Sequence, residues 1–151
     1  VPVVTQLPSD ARRLLALDFG DRRIGVAVSD PTGLLATPVE VYWRRAVKAD
    51  IEYLSSLAEE YEAHAVIIGL PVNMNGTEGP QAAKTREFAE ALGHRLPVLL
   101  WDERLSTVEA ERRMAETGRR KKRGAVVRSD AEAAAVILET YLDALRMRVA
   151  Q

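Results

Sequence analysis

The stretch LALDFGDRRIGVAVSD, residues 15–30, limits the fold of this chain more than any other. Two apolar runs flank the four-residue link FGDR, which contains Gly20. A link this short joins antiparallel neighbours, because a parallel return needs a crossover of a dozen residues or more. The first run, Arg12–Asp18, reads as a strand. The second, from Arg23, alternates Ile24, Val26 and Val28 with Gly25, Ala27 and Ser29, the period of a strand. A hairpin therefore opens the domain, and its first strand ends on a carboxylate, Asp18.

The remainder extends that hairpin into a layered α/β domain. ATPVEVYW reads as a third strand, and Pro38 suits it to a sheet margin. Val47, Ile51, Leu54, Ala58 and Tyr61 recur at helical spacing, so a helix is expected over about Ala46–Tyr61. AVIIGLP (Ala65–Pro71) reads as a buried strand, VNMNGTEG as a loop, Pro80–Leu92 as a second helix and PVLLWDE as a fifth strand. A third helix opens with a capping box from Ser106 to Glu109 and stops near Gly118. The last helix opens at Ser129-Asp130-Ala131-Glu132 and turns Ala134, Ile137, Leu138, Tyr141, Leu142 and Leu145 to one side. The expectation is a single domain over residues 1–151 with a five-stranded mixed sheet and helices on both faces.

Several function classes drop out on composition. The chain has no cysteine and only His64 and His94, which excludes thiolate chemistry and leaves zinc without a ligand set. No apolar run approaches the roughly 18 residues of a membrane helix. The N-terminus VPVVTQLPSDARR lacks the order of a signal peptide. A cytoplasmic protein is expected, with no membrane partner.

Three acids stand where architecture alone gives them little reason to stand. Asp18 ends the first strand, Glu103 ends the fifth, and Asp130 begins the last helix. In open sheets the ligand crevice lies at the carboxyl ends of the parallel strands, so Asp18 and Glu103 should emerge on one rim. Asp130 precedes Ala134, Ile137 and Tyr141 by four, seven and eleven residues, which puts it on the sheet-facing side of its helix. Small neighbours, Ala131 and Ala133–Ala135, allow close approach. Converging carboxylates repel one another unless a cation is shared among them. Mg²⁺ or Mn²⁺ takes such oxygen ligands, and two ions about 4 Å apart form a clamp for phosphodiester hydrolysis. Asp18, Glu103 and Asp130 are thus the candidate catalytic and metal-binding residues. Of the adjacent acids Asp102 and Glu103 only one can face the site, and Glu103 is preferred. Trp43 and Trp101 read as core or edge packing.

The near-neutral total of −1 hides a local excess of positive charge. Residues 112–128 hold eight Lys or Arg and one Glu. Arg119, Arg120, Lys121, Lys122 and Arg123 lead directly towards Asp130, a place suited to binding phosphates by charge and shape. No aromatic is interleaved with them, so base stacking is not expected there. In the loop after the fourth strand, Asn73 and Asn75 are candidates for hydrogen bonds to a nucleic-acid backbone.

LDFGDRRIGVAVSD, IIGLPVNMNG, DERLSTVEA and SDAEAAAVILETYL resemble, in order, the motifs of YqgF/RuvX proteins over about residues 14–142. The resemblance implies an RNase H-like fold, shared with RuvC-type Holliday-junction resolvases. It implies a metal-dependent nuclease with Asp18, Glu103 and Asp130 as its carboxylates, acting in maturation of pre-16S ribosomal RNA. RNA is then the favoured partner, with DNA as an alternative, and the protein a monomer or homodimer. By the same resemblance Arg23 and Arg104 fall near the phosphate. RuvC resolvases carry a second Asp three residues from the helix Asp, where this chain has Val127 and Ala133, and a middle acid on the fourth strand, where it has Gly69 and Leu70. Two rivals remain. DFGDRRIGVA also looks like the phosphate loop of the actin and hexokinase group, but the second lobe such proteins need is missing. A non-catalytic binder on this fold would gain by losing its acids.

Overall fold

A computed structural model of the chain describes residues 3–4, 13–105 and 129–150. Its core is a mixed sheet built from β1 (Val3–Val4), β2 (Leu14–Phe19), β3 (Arg23–Ser29), β4 (Ala36–Trp43), β5 (Ala65–Leu70) and β6 (Val98–Asp102). The strand order is β1-β6-β5-β2-β3-β4. All five expected strands are present. The sixth, β1, is two residues long and pairs parallel with β6; so short a segment gives no periodicity to read. β2, β3 and β4 run antiparallel in turn, while β5 is parallel to both β2 and β6.

The FGDR link closes as expected, with the Gly20 N–H donating to the Arg23 carbonyl at 2.9 Å. β4 lies on the margin of the sheet, as Pro38 requires, and the register shifts between Val26 and Ala27 opposite it. Helices α1 (Val47–Glu60) and α2 (Pro80–Leu92) fall within a residue of the spans their periodicity sets. Helix α3 (Asp130–Ala150) follows Ser129, whose hydroxyl accepts from the Glu132 N–H at 3.1 Å, the expected N-cap bond. The expected helix from Ser106 and the basic residues 119–123 lie outside the described residues.

Side chains alternate between the two faces of the sheet, both of which are covered, and the core is split into two layers. Leu15, Leu17, Ile24, Val26, Val66, Ile68 and Val98 face Leu54, Leu57, Phe88 and Leu92 of α1 and α2. Leu14, Ala16, Ala27, Ala65, Ile67 and Leu99 face Ala134, Ile137, Leu138 and Tyr141 of α3. The residues on the α3 side are smaller, which brings that helix close to the sheet. By the same two-residue period, Asp18, Gly25, Gly69 and Trp101 all belong to the α3 face.

Candidate active site

Asp18 is the last but one residue of β2 and only 5% exposed. Its strand partner across the hairpin is Gly25. On the other side Leu17 pairs with Ile68, so Gly69 follows one step along beside Asp18. Neither flanking position carries a side chain, and each gap is filled by an element that brings another acid. A Cβ on Gly25 would lie 1.9 Å from the Asp130 carbonyl oxygen, so the first turn of α3 rests directly on β3. A Cβ on Gly69 would lie 2.6 Å from Ile137 Cδ1 and 2.9 Å from Glu103 Oε1. The Glu103 side chain therefore lies across Gly69 towards the strand of Asp18. Glu103 is 1% exposed and opens a 3₁₀ turn, Glu103–Leu105, directly after β6. The sequence places it on the strand itself; the observed turn begins one residue earlier and folds the carboxylate inward.

All three expected acids thus share one face and one end of the sheet, but they do not close into a common cluster. Among the described residues no three His, Cys, Asp or Glu side chains are grouped so as to hold a metal ion together. Asp130 is engaged by Arg23, whose Nε lies 2.9 Å from Asp130 Oδ2. The chemistry of the donor set still fits a hard divalent cation. Asp18 and Glu103 are buried carboxylates on one face, and Asp130 stands beside them on a partner that a phosphate could compete for. An open pocket of about 380 Å³ lies here, lined by Asp18, Phe19, Gly20, Asp21, Arg22, Arg23, Trp43 and Asp130.

Asp102, the acid set aside in the sequence reading, is accounted for by its own neighbour. It accepts from the Arg104 N–H at 2.8 Å and pairs with Arg104 Nη2 at 2.8 Å. Partial burial works to raise its pKa, but the hydrogen bonds and charge of Arg104 outweigh that and hold it below the usual carboxylate range. Arg104 Nη1 also donates to the Asn73 carbonyl at 3.4 Å, tying the end of β6 to the Asn-Gly loop. Asn73 Nδ2 donates to Thr77 Oγ1 at 3.0 Å, and Asn75 Oδ1 accepts from the Thr77 N–H at 3.1 Å. Both amides hold the loop's own shape, in which Gly76 takes a φ of 86°.

A support network beneath the pocket escapes the sequence reading. Asp50 of α1 is fully buried. It accepts from Tyr42 Oη at 2.8 Å, Arg44 Nε at 3.1 Å and the Arg45 N–H at 2.9 Å. Burial, followed by the hydrogen bond to Asp50, keeps the Tyr42 phenol above its ordinary range. Arg44 continues to the site: its Nη1 donates to the carbonyls of Gly20 and Asp21 at 3.3 and 3.4 Å, and its guanidinium lies over the Phe19 ring at 4.5 Å. The turn between Asp18 and Arg23 is thereby clamped from below. In Asp50→Asn the charge-assisted bonds weaken, at a cost of about 2 kcal/mol. The melting temperature should fall by roughly 4–8 °C for a chain of this size. Thermal unfolding followed by circular dichroism checks it, and an unchanged transition refutes a structural role for this network.

Of the two places expected for Trp43, core or edge, the structure shows the edge, where it is 63% exposed. Its strand is the outermost one, and its indole stands at the pocket rim with the Arg23 guanidinium 5.5 Å from the ring centre. Trp101 does pack as expected, edge-on to Tyr141 at 5.2 Å and bonded to Thr140 Oγ1 at 3.0 Å.

Comparison with known proteins gives a consistent grouping. The family model RuvX, described as Holliday junction resolvase, matches residues 12–144. A protein of Halothermothrix orenii described as "Putative pre-16S rRNA nuclease" is 47% identical over 135 residues, covering 87% of this chain and 94% of the relative. One of Clostridium novyi with the same description is 48% identical over 136 residues, covering 88% and 99%. Among solved structures, RuvC of T. thermophilus in complex with a Holliday junction substrate superposes with a TM-score of 0.60 at 15% identity, covering 90% of this chain and 96% of that one. At that identity the likeness establishes the fold.

Proposed function

The chain belongs to the RuvX family, and from that premise we propose that it is a nuclease that hydrolyses phosphodiester bonds of nucleic acid in the maturation of pre-16S ribosomal RNA. The observation that carries this reading is the pair of buried carboxylates, Asp18 and Glu103, on one face at the carboxyl rim of the sheet. Carboxylate oxygens held on one face of the sheet are the ligands that a hard divalent cation takes.

Asp18 and Glu103 would hold Mg²⁺ or Mn²⁺, with Asp130 as a third ligand once Arg23 is drawn away by phosphate. A bound divalent ion supplies Lewis-acid stabilisation and a water of lowered pKa. The chain's own groups do the rest. Strand β2 and the short turn that directly follows β6 hold the two buried carboxylates in place, so little reorganisation is needed when substrate arrives. Arg23 and Arg104 stand on either side of them and can take successive phosphates. Arg119–Arg123 would hold the backbone beyond by charge, and Asn73 and Asn75 keep the loop beside Arg104 in shape. Among the described residues no helix is long and apolar enough to cross a membrane, and a role in ribosomal RNA maturation would be served in the cytoplasm.

A substrate panel tests the reading: precursor 16S rRNA, single-stranded RNA, single-stranded DNA and four-way junctions, each with Mn²⁺, Mg²⁺ or chelator. Cleavage of the precursor with metal and its loss on chelation are expected. Cutting that persists in chelator removes the metal role. Cutting confined to junctions removes the RNA assignment and restores the resolvase one.

A further inference from the structure

An indole as exposed as that of Trp43 is unusual in a folded domain, because so large an apolar surface normally finds cover. Trp43 stays in water at a specific place. It is the last residue of the outermost strand, directly opposite Arg23 in the β3–β4 register. It shares the rim of one pocket with Asp18 and Asp130. The Arg23 guanidinium touches both worlds, with Nε on the Asp130 carboxylate at 2.9 Å and its carbon 5.5 Å from the indole centre. A flat aromatic face, a cation suited to phosphate and two acids therefore adjoin one another.

We propose that Trp43 is a stacking platform for an unpaired nucleobase at the pocket rim, so that the site selects single strands or frayed ends over intact duplex. The proposal rests on the reading of this pocket as a nucleic-acid site. In a duplex each base face is already covered by its neighbours, and only an unpaired base can lay its face on a side chain. Stacking of this kind is tolerant of base identity, since every base has a π-face. Arg23 gives the platform its register, because the phosphate it attracts belongs to the nucleotide whose base reaches the indole. The two flanks of the site are then unlike: charge and an aromatic face at Arg23 and Trp43, charge and a hydrogen-bonded loop at Arg104 and Asn73.

The test is binding of labelled 12-nucleotide RNA and DNA single strands and of a blunt duplex, read by fluorescence anisotropy in chelator with the full chain. Trp43→Ala should weaken both single strands about tenfold, within the range measured for loss of one stacked base, and leave the duplex unchanged. Trp43→Phe should retain most of the affinity, and Trp43→Leu, which keeps bulk without a π-face, should not. An abasic nucleotide moved along the strand should find one position that costs the wild type about tenfold and costs Trp43→Ala little. Equal losses on single strand and duplex, full affinity in Trp43→Leu, or no position-specific abasic effect overturns the proposal. So does a change of sedimentation in Trp43→Ala without a change in binding, which assigns the indole to self-association. The nuclease reading stands or falls separately, on whether the bound RNA is cut when Mn²⁺ is added.

Discussion

An Asp18→Asn protein is expected to fold and to bind nucleic acid, yet to cut it at least about a thousandfold more slowly than the wild type. Asn keeps the shape of the side chain and removes the charge. A carboxylate holding a catalytic metal supports several kcal/mol of transition-state stabilisation, and each 1.36 kcal/mol is a factor of ten in rate. The fold should tolerate the change, because an amide is cheaper to bury than a carboxylate, and Asp18 is 5% exposed. Single-turnover cleavage with Mn²⁺, measured beside thermal unfolding, separates the two effects. Cleavage within tenfold of wild type in a protein of unchanged melting temperature refutes the role given to Asp18.

Gly25→Ala is expected to damage stability and activity together. The added methyl group would lie 1.9 Å from the Asp130 carbonyl oxygen and 2.2 Å from its carbon. Both atoms are backbone, so no side chain can swing aside. The first turn of α3 must lift from β3, and Asp130 lifts with it. Overpacking of this kind costs typically 1–3 kcal/mol and more where backbone has to move, which is roughly 6–12 °C in melting temperature at the upper end. A displacement of 1 Å at a reacting centre can cost about a hundredfold in rate. The informative comparison is with Asp50→Asn, which loosens the support beneath the turn without moving α3. If Gly25→Ala melts like the wild type and cuts at full rate, the contact between β3 and the start of α3 does not position the site.

Much of this arrangement is legible in the sequence because it is local. Alternation in Ile24–Ser29, the break at FGDR, the cap at Ser129 and the proline that opens α2 depend on near neighbours, and each element falls where they place it. That only one of Asp102 and Glu103 can face the site also follows from strand period, and Arg104 takes up Asp102. What the sequence hides is tertiary. Asp50 reads as one polar residue on an amphipathic helix; its burial depends on Tyr42 and Arg44 arriving from β4. Trp43 reads as core or edge packing, and how far it stands in water follows from its position at the end of the outermost strand. The convergence of Asp18, Glu103 and Asp130 on one face is readable from period and motif order. The ion pair that draws Asp130 to Arg23 is not, since the two residues lie 107 positions apart.

The margins of the sheet bear on how copies of this chain behave together. A bare strand edge acts as a template on which another chain can add a strand and begin a filament. At one margin β1 is only two residues long, and at the other Pro38 withholds an N–H while the shifted register opposite it bends the ribbon. Among the described residues each border thus carries a feature that hinders strand addition, and this favours assembly through side chains.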